Sequence, residues 1–401
     1  MNSPMQLTLS VVYLAILALL ALVCPANVWG ETFPLPEGND TAIGGMHYTQ
    51  VRKGETLVDI AREFNLGYDQ IVRANPGVNR WVPDEGAKIL LPHQYILVGN
   101  VRRGIVLNIA ELRLYFYPNF QKGDLPRVIT HPVSIGRMDW RTPLGRTSVT
   151  KKERDPPWRP PPSIRREHAL EGDPLPEVIA GGAPDNPLGR FALRLGFPSY
   201  LIHGVDERKA YGIGMRVTHG CIRMYPEDIE SLFGAVAVGT PVMIVNEPMK
   251  IGRQGDNILL EVHQPLEEGE DEAAPEAPRI SAEEAVLFVR ERLRSVAPFD
   301  EGLVASVAER GDGIPTVIAQ TSEAIPGMYD AGLRDTLAQR TEPSPRKSSL
   351  DEELEKAVAR HLQEDKPPLR AEAPAPQPQR RSARQREEPI SDVQQYLQER
   401  Y

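Results

Sequence analysis

The 32 glycines and 38 prolines among 401 residues rule out long uninterrupted helices, because both residues break the helical ladder. Their share exceeds the ~12% of an average chain and follows no collagen period. The chain must therefore be short elements joined by many turns and long loops. A 41% hydrophobic content supplies at least one proper core, and ~150 residues per domain leaves room for two or three domains. The charge balance is 46 Lys+Arg against 55 Asp+Glu, a net of -9. That argues against a nucleic-acid or anionic-membrane binder, which carries a basic excess. Two cysteines, Cys24 and Cys221, exclude a disulfide framework.

Residues 11–23 form an apolar run in which Tyr13 is the only partly polar member. The run is too short for a membrane-spanning helix, which needs ~20 residues, so no stable membrane span is expected. It suits the apolar region of a secretory signal peptide. Val28-Trp29-Gly30 offers a small-residue cleavage site, with Cys24-Pro25-Ala26 as the alternative. The first ten residues carry no Lys or Arg, and Leu22 and Val23 are bulkier than residues that precede a lipidated cysteine. The expectation is a signal peptide over residues 1–30 and export to the periplasm. Cleavage would leave Cys221 as the only thiol, either a buried small hydrophobe or a working nucleophile.

Residues 31–45 read as a Pro/Gly-bearing linker, and residues 46–92 as a small βααβ unit. His47-Tyr48-Thr49-Gln50-Val51 alternates like a strand, and Thr56 can cap the next helix. Leu57, Ile60, Ala61 and Phe64 line one helical face. Asn75-Pro76-Gly77 stops a second short helix, and Lys88-Ile89-Leu90-Leu91-Pro92 gives a second strand. Residues 96–246 read as a mostly β domain with strands at 105–109, 113–117, 128–135, 201–202 and 241–245, and a helix at 226–233. Its middle, residues 155–189, should form long excursions over one face, with Trp158, Pro160, Pro161 and Pro162 as candidate roof elements and Trp140 at the rim. Residues 247–280 read as an acidic linker around the run 267–272. Residues 281–362 read as a partly helical extension opened by the capping box of Ser281 and Glu284. A second helix is expected at 350–362, and 363–401 as a Pro/Arg-rich disordered tail.

Chemistry concentrates in Thr218-His219-Gly220-Cys221-Ile222-Arg223, with His203-Gly204 upstream. A thiol becomes a good nucleophile when an imidazole or a cluster of backbone N–H groups favours its anion. A Cys–His pair oriented by a third group is the minimal acyl-transfer unit. Gly220 removes bulk beside Cys221 and lets N–H groups face a developing oxyanion. Spacing leaves the base open between His219 and His203. A zinc site would need a fourth ligand. No second cysteine accompanies the pair, and the nearest carboxylate is Asp206. We therefore expect no metal and no cofactor.

Two stretches resemble known families. Tyr48, Val51, Gly54-Glu55-Thr56-Leu57, Ile60-Ala61, Phe64, Ala74-Asn75, Gly86 and Ile89-Leu90-Leu91-Pro92 resemble a LysM module, a family that binds N-acetylglucosamine-containing glycans such as peptidoglycan. His203 followed by Thr218-His219-Gly220-Cys221-Ile222-Arg223, with Thr142-Pro143-Leu144-Gly145 and the strand 105–110 upstream, resembles the YkuD-type L,D-transpeptidase catalytic domain. Arg223 departs from the Asn that many members carry there, and the chain beyond Val262 exceeds a minimal member. The resemblance implies a YkuD-like β-sandwich beside the LysM domain and a helical or disordered C-terminal extension. It implies that Cys221 attacks the carbonyl between the L-centre of meso-diaminopimelate and D-alanine of a tetrapeptide stem. His203 would be the base and the Gly204 carbonyl its orienting partner. N–H groups at Gly220 and Cys221 would bind the oxyanion. Thr218 and His219 would shape the substrate side, and Arg223 would pair with a substrate carboxylate. The acceptor would be another stem's diaminopimelate or the lysine of an outer-membrane lipoprotein. A carboxypeptidase using the same site, or an inactive wall-binding scaffold, are the alternatives. The partners implied are peptidoglycan stem peptides and glycan strands.

Overall fold

A computed structural model describes residues 30–121, 123–136, 142–170, 172–218, 220–264, 279–294 and 297–323. The signal-peptide run, Trp140, His219, the acidic run 267–272, the helix expected at 350–362 and the tail lie outside these residues. The described chain runs β1 (Glu31–Pro34), β2 (Ala42–Gln50), α1 (Leu57–Glu63), α2 (Tyr68–Ala74), β3 (Lys88–Ile96), β4 (Gly104–Asn108), β5 (Arg113–Tyr117), β6 (Arg127–Pro132) and β7 (Ile135–Gly136). It continues with β8 (Gly145–Arg154), α3 (Pro162–Leu170), β9 (Phe191–Leu195), β10 (Leu201–His203), a 3-10 helix (Glu207–Gly212), β11 (Arg216–Thr218), β12 (Ile222–Arg223), α4 (Pro226–Ala235) and β13 (Pro241–Val245). It closes with β14 (Met249–Gln254), β15 (Asn257–Val262), α5 (Ala282–Leu293), α6 (Glu301–Arg310) and β16 (Thr316–Gln320).

The domain is mostly β, as expected. Its nine-stranded sheet has the order β1-β6-β5-β4-β13-β8-β9-β10-β12. Period-2 side-chain alternation explains why β4, β5 and β13 read as unbroken apolar runs. Ile105, Leu107, Leu114, Phe116, Val242 and Ile244 enter one core. Val106, Tyr115, Tyr117, Met243 and Val245 enter another on the opposite face. The first core also takes Leu193, Ile202, Ile222, Ile229 and Leu232 from β9, β10, β12 and α4. The sheet thus curls round it, with the candidate site near its β12 end.

The βααβ unit forms with its own core of Leu57, Ile60, Ile71, Ile89 and Leu91. Thr56 caps α1 through a capping box with Asp59. Two expected linkers are corrected. Within 31–45, β1 pairs with β6 of the large sheet, and β2 begins at Ala42 and pairs with β3 along its length. Within 247–280, β14 and β15 form a hairpin that pairs on to β16. Helices α5 and α6 cover that sheet around Val262, Val289, Leu293, Val304 and Ile318, so a third folded module follows the large β domain. The Ser281–Glu284 capping box opens α5 as read. The excursion 155–189 holds helix α3, which the sequence reading missed, and a clip of Trp158 against Ile179.

Candidate functional site

The site is built at the junction of β10 and β12, which pair in parallel with Ile202 opposite Ile222 and His203 opposite Arg223. The two isoleucines enter the sheet's inner core. Alternation then sends His203 and Arg223 to the other face. Cys221 lies two residues before Arg223 and immediately precedes β12. A buried His203 thus stands on β10, and a partly exposed free thiol leads into the strand paired with it.

The His203 Nδ1 lies 2.6 Å from the Gly204 carbonyl oxygen. A carbonyl only accepts, so the proton sits on Nδ1 and Nε2 is the basic nitrogen. Burial is the main force pushing the His203 pKa down to about 3, helped by the Arg223 charge and opposed by the Gly204 and Leu188 carbonyls. The ring is therefore neutral at neutral pH. Leu188 stands at the end of the excursion, where the Asn186 amide holds the Pro156 carbonyl at 2.8 Å and the Ala180 carbonyl at 3.0 Å.

Burial raises the Cys221 thiol, while the Leu201 backbone N–H and the Arg223 and Arg194 charges act against it. In the resting site the thiol donates to the Ser199 carbonyl at 3.8 Å, and Ser199 holds a left-handed φ of 69°. Tyr200 beside it is raised by burial and by the Cys221 sulfur. None of Leu188, Ser199, Tyr200 or Arg194 carried a sequence signal as a site residue.

The Cys221 loop is braced from within. Gly220 adopts φ 99°, a region that excludes ordinary side chains. The Thr218 hydroxyl donates to the Cys221 carbonyl at 2.6 Å and accepts the Gly220 N–H at 3.2 Å. Thr218 is fully buried, so its side chain serves the turn. Thr142, from the Thr-Pro-x-Gly stretch, donates to the Gly220 carbonyl at 3.0 Å and accepts the Gly136 N–H at 3.2 Å. The Arg223 backbone exchanges two 2.9 Å hydrogen bonds with Ser134.

Asp206, the one carboxylate considered as a zinc ligand, caps the 3-10 helix through the Arg208 N–H at 2.9 Å. Among the described residues one group has metal-ligand reach: Glu111, Glu261 and His263, within 4.8 Å of one another. Lys250 Nζ already lies 2.7 Å from each of the two carboxylates, so the chain's own ammonium supplies the positive charge there.

Residues 102–244 match the L,D-transpeptidase catalytic domain, YkuD, and residues 49–92 match the LysM domain. The chain is thus a LysM-bearing enzyme of the YkuD class, with a peptidoglycan-binding module beside the catalytic domain. It is 40% identical over 259 residues to "Probable L,D-transpeptidase YcfS" of Escherichia coli K12, covering 63% of this chain and 78% of that protein. It is 38% identical over 266 residues to "Probable L,D-transpeptidase YbiS" of the same strain, covering 65% and 84%. It is 36% identical over 295 residues to "Probable L,D-transpeptidase ErfK/SrfK" of Salmonella typhimurium LT2, covering 72% and 91%. The chain belongs to the L,D-transpeptidase family and is a peptidoglycan-modifying transferase.

Proposed function

We propose that Cys221 and His203 carry the transpeptidase chemistry in the periplasm. The observation that carries this reading is the His203 Nδ1 contact of 2.6 Å to the Gly204 carbonyl, which leaves Nε2 as the basic nitrogen on a strand paired with the one that follows Cys221. Nε2 takes the thiol proton as Sγ attacks the carbonyl between the L-centre of meso-diaminopimelate and the terminal D-alanine. The Gly220 N–H is already given to Thr218, so the Cys221 N–H is the loop donor we assign to the oxyanion. Collapse breaks the C–N bond, His203 returns its proton to the leaving D-alanine amine, and a thioester remains. An amine acceptor then attacks the thioester, loses its proton to His203 and regenerates the thiol. The acceptor is a second stem's diaminopimelate or a lipoprotein lysine.

The Arg223 charge favours the thiolate and disfavours the imidazolium, so the proton leaves the ring readily for the leaving group. The partly exposed site suits a peptide substrate, and the excursion 155–189 stands beside His203 as a wall that limits water. The test is incubation with tetrapeptide muropeptides, with and without a lipoprotein C-terminal peptide, read by mass analysis. Cross-linked dimers or a lipoprotein adduct are expected. Tripeptides alone would mean that water is the acceptor. Cys221→Ala is expected to abolish product with the fold intact, and His203→Ala to do the same. Retained activity in Cys221→Ala would overturn the assignment.

A further inference from the structure

We infer that the LysM module is a positioning part of the transpeptidase site, because its α1–α2 turn braces the chain segment that delivers the nucleophile. The inference rests on the reading of Cys221 given above. A module that merely tethers an enzyme to glycan needs few contacts with it. Here the turn reaches the segment 213–214, the 3-10 helix and the start of α4. The first N–H groups of a helix have no partner within it. Those of α2 at Tyr68 and Asp69 donate to the Ile213 and Gly214 carbonyls, at 2.9 and 3.3 Å. The catalytic domain thus completes the LysM helix, and the helix in turn fixes residues 213–214.

The approach is backbone on backbone. Gly214 has φ 89°, and a Cβ on it would collide with the Gly67 backbone; a Cβ on Gly67 would come within 2.9 Å of the Gly214 Cα. Two flanking ion pairs hold the turn in place. Arg62 forks onto Glu227 of α4 with two 2.8 Å hydrogen bonds and reaches Glu207 of the 3-10 helix at 2.8 Å. The Asn65 amide reaches both carboxylate oxygens of the buried Asp228, at 2.9 and 2.8 Å.

From Gly214 the chain runs directly into β11. The Met215 carbonyl accepts from Ile135 at 3.3 Å, β11 pairs with β7, and Thr218 then grips Cys221. The far side of the same segment is held by the Ser134 hydroxyl on the Gly212 carbonyl at 2.6 Å. The nucleophile's approach is thus clamped between the sheet and the LysM turn. Removing the LysM side leaves the Ile213 and Gly214 carbonyls without these donors.

The test separates a strut from a tether by using a substrate with no sugar. Full-length wild type, Arg62→Ala, Arg62→Lys, Gly214→Ala and the control Lys53→Ala are compared on a free tetrapeptide stem, reading D-alanine release. Lys53 is an exposed LysM residue outside the turn. Alkylation of Cys221 by iodoacetamide and the melting temperature are measured in parallel. The strut predicts a roughly tenfold or greater fall in kcat for Arg62→Ala and Gly214→Ala with KM little changed, a shifted alkylation rate, partial rescue by Arg62→Lys, and wild-type behaviour for Lys53→Ala. A tether alone predicts wild-type turnover and alkylation in every variant, which would overturn the inference. Should Gly214→Ala fail to fold, Arg62→Ala, a change at a half-exposed ion pair, decides. Should wild type release no D-alanine, the reading of the site itself fails, and the alkylation rates still decide whether the turn governs the loop.

Discussion

The Thr142 hydroxyl donates to the Gly220 carbonyl at 3.0 Å, joining residues 78 positions apart immediately beside Cys221. The same oxygen accepts the Gly136 N–H at 3.2 Å, so one buried side chain pins the Cys221 loop to β7. Thr142→Val keeps the volume and removes both bonds. Two buried backbone groups then lose their partner, a loss of about 2 kcal/mol. Urea unfolding should show that loss. Turnover on tetrapeptide should fall further than stability explains, because the Gly220 peptide is free to rotate.

Sequence patterning singled out the 218–223 segment because those residues are contiguous in the chain. It located Thr142 as a motif residue without a role, because the role depends on a contact that no local pattern encodes. Strand β8 was missed for a related reason. Lys151, Lys152, Glu153 and Arg154 look like a solvated turn, yet they extend a strand paired with both β13 and β9. The β14–β15 hairpin was hidden by the acidic run that follows it. Leu259 and Ile251 read as scattered apolar residues until Leu259 packs on Ala42 and Ile96 and Ile251 joins the core that Ile318 of β16 completes. The helix caps at Thr56 and Ser281 were legible because a capping box is a four-residue affair.

Gly220 is the glycine beside Cys221 whose backbone requires it. At φ 99° a side chain costs roughly 1–3 kcal/mol of strain. Gly220→Ala relieves the strain only by moving the carbonyl that Thr142 holds and the N–H that Thr218 holds. Turnover should drop by at least tenfold, with a smaller loss in melting temperature. A variant with wild-type kcat would show that the loop tolerates a second conformation.

The neutral ring of His203 sets the pH response. Its folded pKa of about 3 lies below the ordinary 6.5. The unfolded chain therefore takes up a proton as pH falls through 6.5, and the folded chain refuses it until about 3. His93 adds the same slope, since burial is the chief cause that lowers it to about 4. Stability attached to both groups is full above pH 6.5 and is lost progressively between 6.5 and 3. Denaturant unfolding at pH 7 and pH 5 should show it, and His203→Asn should flatten part of the slope. The acid limb of kcat/KM should likewise fall below pH 5. A limb at 6.5 would mean a freely titrating imidazole.

Lys250 is the clearest test of how the three modules are joined. Its ammonium is buried and touches Glu111 of the catalytic domain, Glu261 of β15, and the Ile96 carbonyl of β3 at 2.8 Å. Burial pushes the Glu261 carboxyl up, but Lys250 and His263 outweigh it and hold the pKa at about 2. Lys250→Met fills similar volume and strands two carboxylates in the interior. Breaking a buried pair this way costs ~3–5 kcal/mol. The cost should shrink at low pH, because a stranded Glu261 can then take a proton. Pairing Lys250→Met with Glu111→Gln removes one of the stranded charges and should recover part of the loss. Unfolding monitored separately in the third module and the catalytic domain should show both weakened, because the ammonium serves the two together. If the third module alone were destabilised, Glu111 would be a bystander and the joint would belong to β15.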